Sequence, residues 1–226
     1  MKIAMIPARG GSKRIPRKNI KLFHGKPMIA YSIEAAQKSG CFDKIIVSTD
    51  DQEIADVALA YGAEVPFLRP ANISDDHATT MDVIQHTIHW CESQNMAVDL
   101  LCCIYATAPF IEAQDLQRGL QMLENTCVEY VFSATTFAFP IQRAISLKEN
   151  GAVKMFQPEH LSTRSQDLEE AYHDAGQFYW GKISAFKDGL AIFSSHSRCV
   201  LLPRKRVQDI DTQEDWELAE ALYSVL

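Results

Sequence analysis

Between an apolar run at Lys2-Ile-Ala-Met-Ile6 and the next helical pattern, the chain reads Pro7-Ala8-Arg9-Gly10-Gly11-Ser12-Lys13-Arg14-Ile15-Pro16-Arg17-Lys18-Asn19. These residue types suit phosphate binding. Consecutive glycines let backbone N–H groups approach oxygens that a Cβ would block. Arg9 offers a bidentate fork, and Lys13 and Lys18 offer point charges. The segment fits neither a Walker A loop, because Ile15 stands where a second glycine is required, nor G-x-G-x-x-G. Taken alone, it also fits a basic, solvated surface loop. Near the other end of the chain, Asp209 and Asp211 lie two residues apart, so in a strand both point to one side. Such a pair suits Mg²⁺, which takes oxygen ligands and bridges to phosphates. The competing reading of Asp211, compatible with the first, is an N-cap on a helix beginning at 212. His86 and His89 are spaced i,i+3 on a helix, but no third ligand accompanies them.

Charge is distributed unevenly. The 226 residues carry a net charge of −7, which disfavours generic binding to nucleic acid or an anionic membrane. The first 33 residues nevertheless hold eight Lys and Arg and no Asp or Glu, while the remainder holds 14 basic and 29 acidic side chains. A concentrated cationic segment in an acidic protein implies a small anionic ligand. The hydrophobic fraction of 47% excludes a disordered chain and supports one domain over residues 1–226. No apolar stretch approaches the ~18 residues needed to span a bilayer. The N-terminus lacks a secretory pattern, and the six cysteines show no C-x-x-C spacing, so a reduced, cytoplasmic protein is expected.

The elements that would position these residues follow a β-α-β-α rhythm. Strands are expected at 2–6, 44–49, 64–67, 99–105, 129–135, 176–180 and 198–202. Helices are expected at 28–39, 51–61, 80–94, 112–124, 182–188 and 212–224, with Gly40 and Gly62 as stops. Cys102-Cys103 alternates across a buried strand, and Trp216, Leu218, Ala219 and Leu222 form the packing side of the last helix. The rhythm predicts an α/β fold, a mostly parallel sheet with helices on both faces. It breaks at 137–175, a polar excursion in which Asn150-Gly151 signals a hairpin. Ligands in such sheets lie beyond the carboxyl ends of the strands, so the loops after residues 6, 49, 105, 135 and 207 should converge.

The segment Ile6–Asn19 closely resembles the opening motif of the CMP-sugar-acid synthetases, cytidylyltransferases that activate sialic acids and related 2-keto sugar acids with CTP. The resemblance spans the chain. Val47-Ser48-Thr49-Asp50 is similar to the end of that family's second strand. Leu68-Arg69-Pro70-Ala71 with Asp76-His77-Ala78-Thr79-Thr80 is similar to its cytosine loop. Thr107-Ala108-Pro109-Phe110 is similar to the segment beneath the sugar, and Asp209-Ile210-Asp211-Thr212 to the late aspartate pair that holds magnesium. Tyr105–Phe110 and Tyr172–Trp180 resemble the branch acting on pseudaminic acid, a bacterial nonulosonic acid. Sialic-acid members usually carry Gln-Pro-Thr-Ser-Pro where this chain has Tyr105 onward, and Arg-Pro-Asn-Gly where it has His173-Asp174-Ala175-Gly176.

The resemblance implies a Rossmann-like nucleotidyltransferase fold and a Mg²⁺-dependent reaction of CTP with pseudaminic acid, giving CMP-pseudaminic acid and pyrophosphate. Such products serve bacterial surface or flagellin glycosylation. N-acetylneuraminate, legionaminate or a Kdo-type acid is the alternative substrate, and a non-catalytic nucleotide- or RNA-binding protein is the alternative class. Arg9, Lys18 and Asp211 are the implied catalytic residues. The nucleotide is assigned to Ala8, Arg9, Gly10, Gly11, Ser12, Lys13 and Asn19, with Arg69, Ala78 and Thr80 at cytosine. The sugar is assigned to Tyr105, Thr107, Arg164 (Arg143 being its rival), His173, Gln177 and Tyr179. The metal is assigned to Asp209 and Asp211. A homodimer is implied, with 137–175 reaching across to complete the partner's sugar site.

Overall fold

A computed structural model of the chain describes residues 1–75 and 77–226. Among the described residues ten strands and six α-helices alternate much as the sequence rhythm predicts: β1 Lys2–Pro7, the short pair β2 Leu22–Phe23 and β3 Lys26–Pro27, α1 Met28–Ser39, β4 Lys44–Ser48, α2 Gln52–Ala60, α3 Thr80–Ser93, β5 Leu100–Ile104, α4 Ala113–Asn125 and β6 Tyr130–Thr136. Then come β7 Ile145–Leu147, β8 Val153–Met155, β9 Tyr172–Lys182, α5 Ile183–Lys187, β10 Ser197–Leu201 and α6 Gln213–Tyr223. Six strands form the central sheet in the order β10-β6-β9-β5-β1-β4. β1 pairs in parallel with β4 and β5, and β10 with β6, whereas β9 runs antiparallel to both its neighbours. The sheet is therefore α/β and mostly parallel. At 64–67, where a strand was expected, there are only isolated bridges from Glu64 to Ile46 and from Leu68 to Thr49.

Period-two alternation explains the layers. Ala4 and Ile6 of β1, Cys102 and Ile104 of β5, and Phe178 and Trp180 of β9 share a core with Ile29 and Ile33 of α1, Ile54 of α2 and Leu116 of α4. The intervening residues Ile3, Met5, Leu101, Cys103 and Tyr179 join a second core with Val83 and Ile84 of α3 and Phe186 of α5. Helices thus cover both faces. Burial raises the thiol pKa of Cys102 and Cys103, as suits inert core residues. Gly40 ends α1 at φ 63°, the left-handed C-cap that glycine adopts without a Cβ penalty.

A third core gathers Ile15 of the basic loop, Phe23, Met28, Tyr31, Phe110, Ile210, and Trp216 and Ala219 of α6. Leu218 does not belong to it but is exposed. It stands two residues from Trp216, on the far side of a 3.6-residue turn. Thr212, not Asp211, caps α6, its side chain accepting from the Asp215 N–H in a reciprocal capping box. Residues 137–171 leave the central sheet, a shorter excursion than the expected 137–175, because 172–175 already pair with β6 as the start of β9. The excursion carries one-turn helical segments and the β7–β8 hairpin, which closes over Asn150-Gly151 with Gly151 at φ 78°.

Candidate active site

The basic loop and the aspartate segment meet because each buries one isoleucine. Ile15 and Ile210 enter the same core, and the polar residues beside them are left at the rim of one cleft. The cleft has a volume of about 530 Å³ and lies beyond the carboxyl ends of β1 and β5. Arg9, Lys13, Arg14 and Lys18 come from the loop after β1. Arg69, Asp75 and Thr80 come from the approach to α3, Tyr105 and Thr107 from the loop after β5, and Asp211 from the segment before α6. The loop after β6 instead borders a separate hollow of about 260 Å³ with Phe139, Pro140 and Leu168. Three of the five loops expected to converge, those after residues 6, 105 and 207, therefore line the cleft; the loop after 49 stands behind it, and the segment before α3 takes its place in the wall.

Within the basic loop, Arg9, Ser12, Lys13 and Asn19 line the cleft, and Ala8 is buried behind it. Arg9 donates from Nη1 to the Asp75 carbonyl at 3.1 Å, and Asn19 Nδ2 donates to the Arg9 carbonyl at 2.9 Å. Asn19 thus holds the arginine's backbone. Gly10 and Gly11 are absent from the lining. Gly10 has a different need for a missing side chain, since a Cβ there would lie 2.6 Å from Asp51 Oδ2. Its N–H donates to Asp50 Oδ1 at 2.9 Å, and the Ser12 N–H donates to the Gly10 carbonyl at 3.0 Å. Arg17, at φ 58°, forks onto Asp51 at 2.5 and 3.0 Å and also pairs with Glu53. That clamp holds a non-glycine residue in a disfavoured backbone region.

Lys18 reaches the Ile210 carbonyl and lies 3.3 Å from Asp211 Oδ1, while Arg14 pairs with Asp211 Oδ2 at 2.8 Å. Partial burial of its carboxyl and the Asp211 charge raise the Asp209 pKa, although the residue as a whole is exposed. The segment is irregular coil, so the strand alternation that would put both side chains on one side does not apply to it. No group of three or more His, Cys, Asp or Glu among the described residues could hold a metal. Two neighbouring carboxylates at a cationic cleft still fit Mg²⁺, whose remaining ligands come from phosphate and water. His86 and His89 gain no third ligand. His86 stacks edge-on against Phe67 at 4.7 Å, and burial, then the Arg69 charge, lowers its pKa.

At the expected cytosine loop, Arg69 is buried. Its Nε donates to Ser74 Oγ at 3.2 Å, and Nη2 lies 3.7 Å from Asp50 Oδ1. The Ala78 N–H, the one donor that Ala78 could offer cytosine, donates to Asp75 Oδ1 at 2.9 Å. Thr79 caps α3 in a capping box with Asp82, and Thr80 Oγ1 lies 3.3 Å from the Tyr105 hydroxyl. Asp76 of the same motif lies outside the described residues.

The residues expected at the sugar divide into two groups. Tyr105 and Thr107 line the cleft. Tyr105 packs against Tyr179 at 5.3 Å, and Tyr179 donates to Asp174 Oδ2. Burial raises the phenol pKa of both. Gln177 accepts the Tyr105 N–H on its carbonyl, donates Nε2 to the Arg206 carbonyl at 2.6 Å and leaves a buried Oε1 without a partner among the described residues. His173 Nδ1 is 2.8 Å from the Asp174 carbonyl, and its ring meets Phe137 edge-on. Arg164 is not brought to the cleft. It is exposed in the excursion and paired with Asp167 at 2.7 Å, while Arg143 donates to the Thr163 carbonyl. Sequence reasoning missed Arg14, Asp50, Arg17 with Asp51, and Asp174. The Thr79-x-x-Asp82 and Thr212-x-x-Asp215 capping signatures were the available signal for two of the loop ends.

A sequence model of the cytidylyltransferase family matches residues 3–223. The chain belongs to the cytidylyltransferase family. It is 51% identical over 223 residues to a pseudaminic acid cytidylyltransferase of Campylobacter jejuni, covering 99% of this chain and 96% of that one. It is 31% identical to a CMP-N,N'-diacetyllegionaminic acid synthase of Legionella pneumophila, covering 97% and 95%. In fold it is similar to a CMP:2-keto-3-deoxy-manno-octonic acid synthetase solved with CTP, with a TM-score of 0.70 at 18% identity over 99% of this chain and 98% of that one. The family assignment gives the chain its chemistry, nucleotidyl transfer from CTP.

Proposed function

We propose that the chain transfers CMP from CTP to the anomeric hydroxyl of pseudaminic acid, releasing pyrophosphate. The observation that carries this reading is the cleft itself. Four cationic side chains of one loop and the buried Arg69 surround a space bounded by Asp211 and the Tyr105–Thr107 segment. Identity to the Campylobacter enzyme over nearly the whole chain supports pseudaminic acid as the acceptor.

In-line displacement at the α-phosphorus needs positioning and charge neutralisation more than covalent help. Arg9 and Lys13 bind the triphosphate, with Asn19 fixing the Arg9 backbone. Lys18 faces the phosphates from beside Asp211 and favours the charge that grows on the leaving pyrophosphate. Arg69 and the entry to α3 hold the base. Tyr105 and Thr107 orient the sugar acid, with Tyr179, Gln177 and His173 behind them. Asp209 and Asp211 would hold Mg²⁺, which when bound supplies Lewis-acid polarisation of the phosphate oxygens.

Exposed apolar side chains on the 137–171 excursion support a homodimer in which Arg164 of one protomer serves the sugar carboxylate of the other. Six free cysteines and a nucleotide substrate support a cytoplasmic location, and no helix among the described residues is long and apolar enough to cross a membrane. Surface or flagellin glycosylation is the consistent use of the product. Pyrophosphate release, measured with CTP and each of pseudaminic acid, N-acetylneuraminate, diacetyllegionaminate and Kdo, tests the reading. Preference for pseudaminic acid by ~10²-fold or more in kcat/KM is expected, since a site built to pair substrate polar groups rejects analogues that misplace them. Comparable rates with N-acetylneuraminate would overturn the substrate assignment.

A further inference from the structure

The two walls of the cleft come from separate parts of the chain, the basic loop after β1 and the Arg69 segment between α2 and α3. One carboxylate outside the cleft lining touches both. Asp50 Oδ1 accepts the Gly10 N–H at 2.9 Å and lies 3.7 Å from Arg69 Nη2. The Arg69 side chain is only 3% exposed, and Asp50 is the carboxylate paired with it among the described residues. A guanidinium cannot shed its proton, and a buried unpaired charge costs several kcal/mol. Its position therefore follows its counter-ion. The need is sharper because the Arg9 charge opposes that of Arg69 across the same space.

Asp50 is itself fixed. Thr49 before it is buried, and the Thr49 carbonyl accepts the Arg69 N–H at 2.7 Å. Asp51 after it caps α2 by accepting the Ile54 N–H and is gripped by Arg17. A carboxylate so held cannot follow one loop without drawing on the other.

We propose that Asp50 is a positioning residue that sets the spacing between the triphosphate loop and the base loop, so that pyrimidine selection and phosphate placement depend on one carboxylate that touches neither. The proposal rests on CTP occupying this cleft. Two substitutions separate its two contacts. Asp50→Asn keeps an acceptor for the Gly10 N–H and removes the charge that holds Arg69, whereas Asp50→Ala removes both. CTP binding is measured by calorimetry, and pyrophosphate release by steady-state kinetics with CTP and with UTP.

For Asp50→Asn, an increase in KM for CTP of about tenfold is expected, with a smaller change in kcat and a narrowed preference for CTP over UTP. Asp50→Ala should lower kcat as well, because the basic loop is then released. In a double-mutant cycle, Arg69→Met should cost much less in the Asp50→Asn background than in the wild type, since the two groups act as one. Wild-type CTP affinity in both Asp50 variants would overturn the proposal. So would losses that track only the folded fraction, with the CTP-to-UTP ratio and the kcat-to-KM balance intact. Failure of the wild type to bind CTP would overturn the reading of the cleft instead, and the proposal with it.

Discussion

Asp211 stands between cations and a second acid. Arg14 and Lys18 approach its two carboxylate oxygens at 2.8 and 3.3 Å, and Asp209 lies close enough for the Asp211 charge to raise its pKa. Asp211 and two cations at the rim of a cleft of about 530 Å³, with Asp209 beside them, are better explained by shared work on a charged substrate than by stability, because exposed ion pairs contribute little. Asp211→Ala is therefore expected to lower Mg²⁺-dependent pyrophosphate release by ~10²-fold or more, while thermal unfolding stays close to wild type. Near-normal turnover across a Mg²⁺ titration would remove Asp211 from the machinery. At this scale the sequence was readable where residues act on a ligand. Arg9, Lys13, Lys18 and Asp211 announce themselves by charge and spacing and all reach the cleft. Asp50 and Arg17 did not announce themselves, because each acts on a partner far along the chain: Gly10 for one and Asp51 for the other. Gly10 shows the same limit. Its glycine was legible, but its reason, the close approach of Asp51, was not.

Among elements, those with strong periodicity appeared nearly where the pattern put them, from α1 at Met28–Ser39 to the β7–β8 hairpin. The direction of β9 did not follow from its pattern. A strand buried on both faces is a continuous apolar run whichever way it points, and Phe178, Tyr179 and Trp180 are all buried. Its reversal matters to the site, since it brings His173, Asp174 and Gln177 to the end of the sheet where the parallel strands finish. The 64–67 segment was too short to tell a strand from two bridges. Helix α3 carries the most direct test at this scale, because its first turn supplies Thr80 and Val83 to the cleft wall and Thr79 caps it. Thr79→Ala should lower stability by about 1 kcal/mol and raise KM for CTP a few-fold, and Thr79→Ser should restore both. Chemical denaturation and steady-state kinetics on the two variants check this. Unaltered KM with the cap lost would separate the helix start from the nucleotide.

For the whole molecule, the 137–171 excursion is the part that a lone chain leaves unexplained. Phe139 is 81% exposed, Leu161 73%, Leu147 72% and Phe156 67%, all within a segment outside the central sheet. Burying a large apolar side chain contributes roughly 1.5–3 kcal/mol. Several such side chains from each of two protomers therefore offset an association cost on the order of 4–15 kcal/mol. The same excursion carries Arg143 and Arg164, the basic side chains expected at the sugar carboxylate, and neither lines the cleft of its own chain. A second copy resolves both facts at once if the excursion covers its apolar face and delivers an arginine across the interface. Sedimentation velocity should then show a dimer at micromolar concentration. Phe139→Asp combined with Leu161→Asp should give monomers whose kcat/KM for the sugar acid falls at least tenfold, while CTP affinity changes little because every residue assigned to CTP lies on the same chain. A fully active monomer would confine the sugar site to one protomer and leave the apolar face with another role.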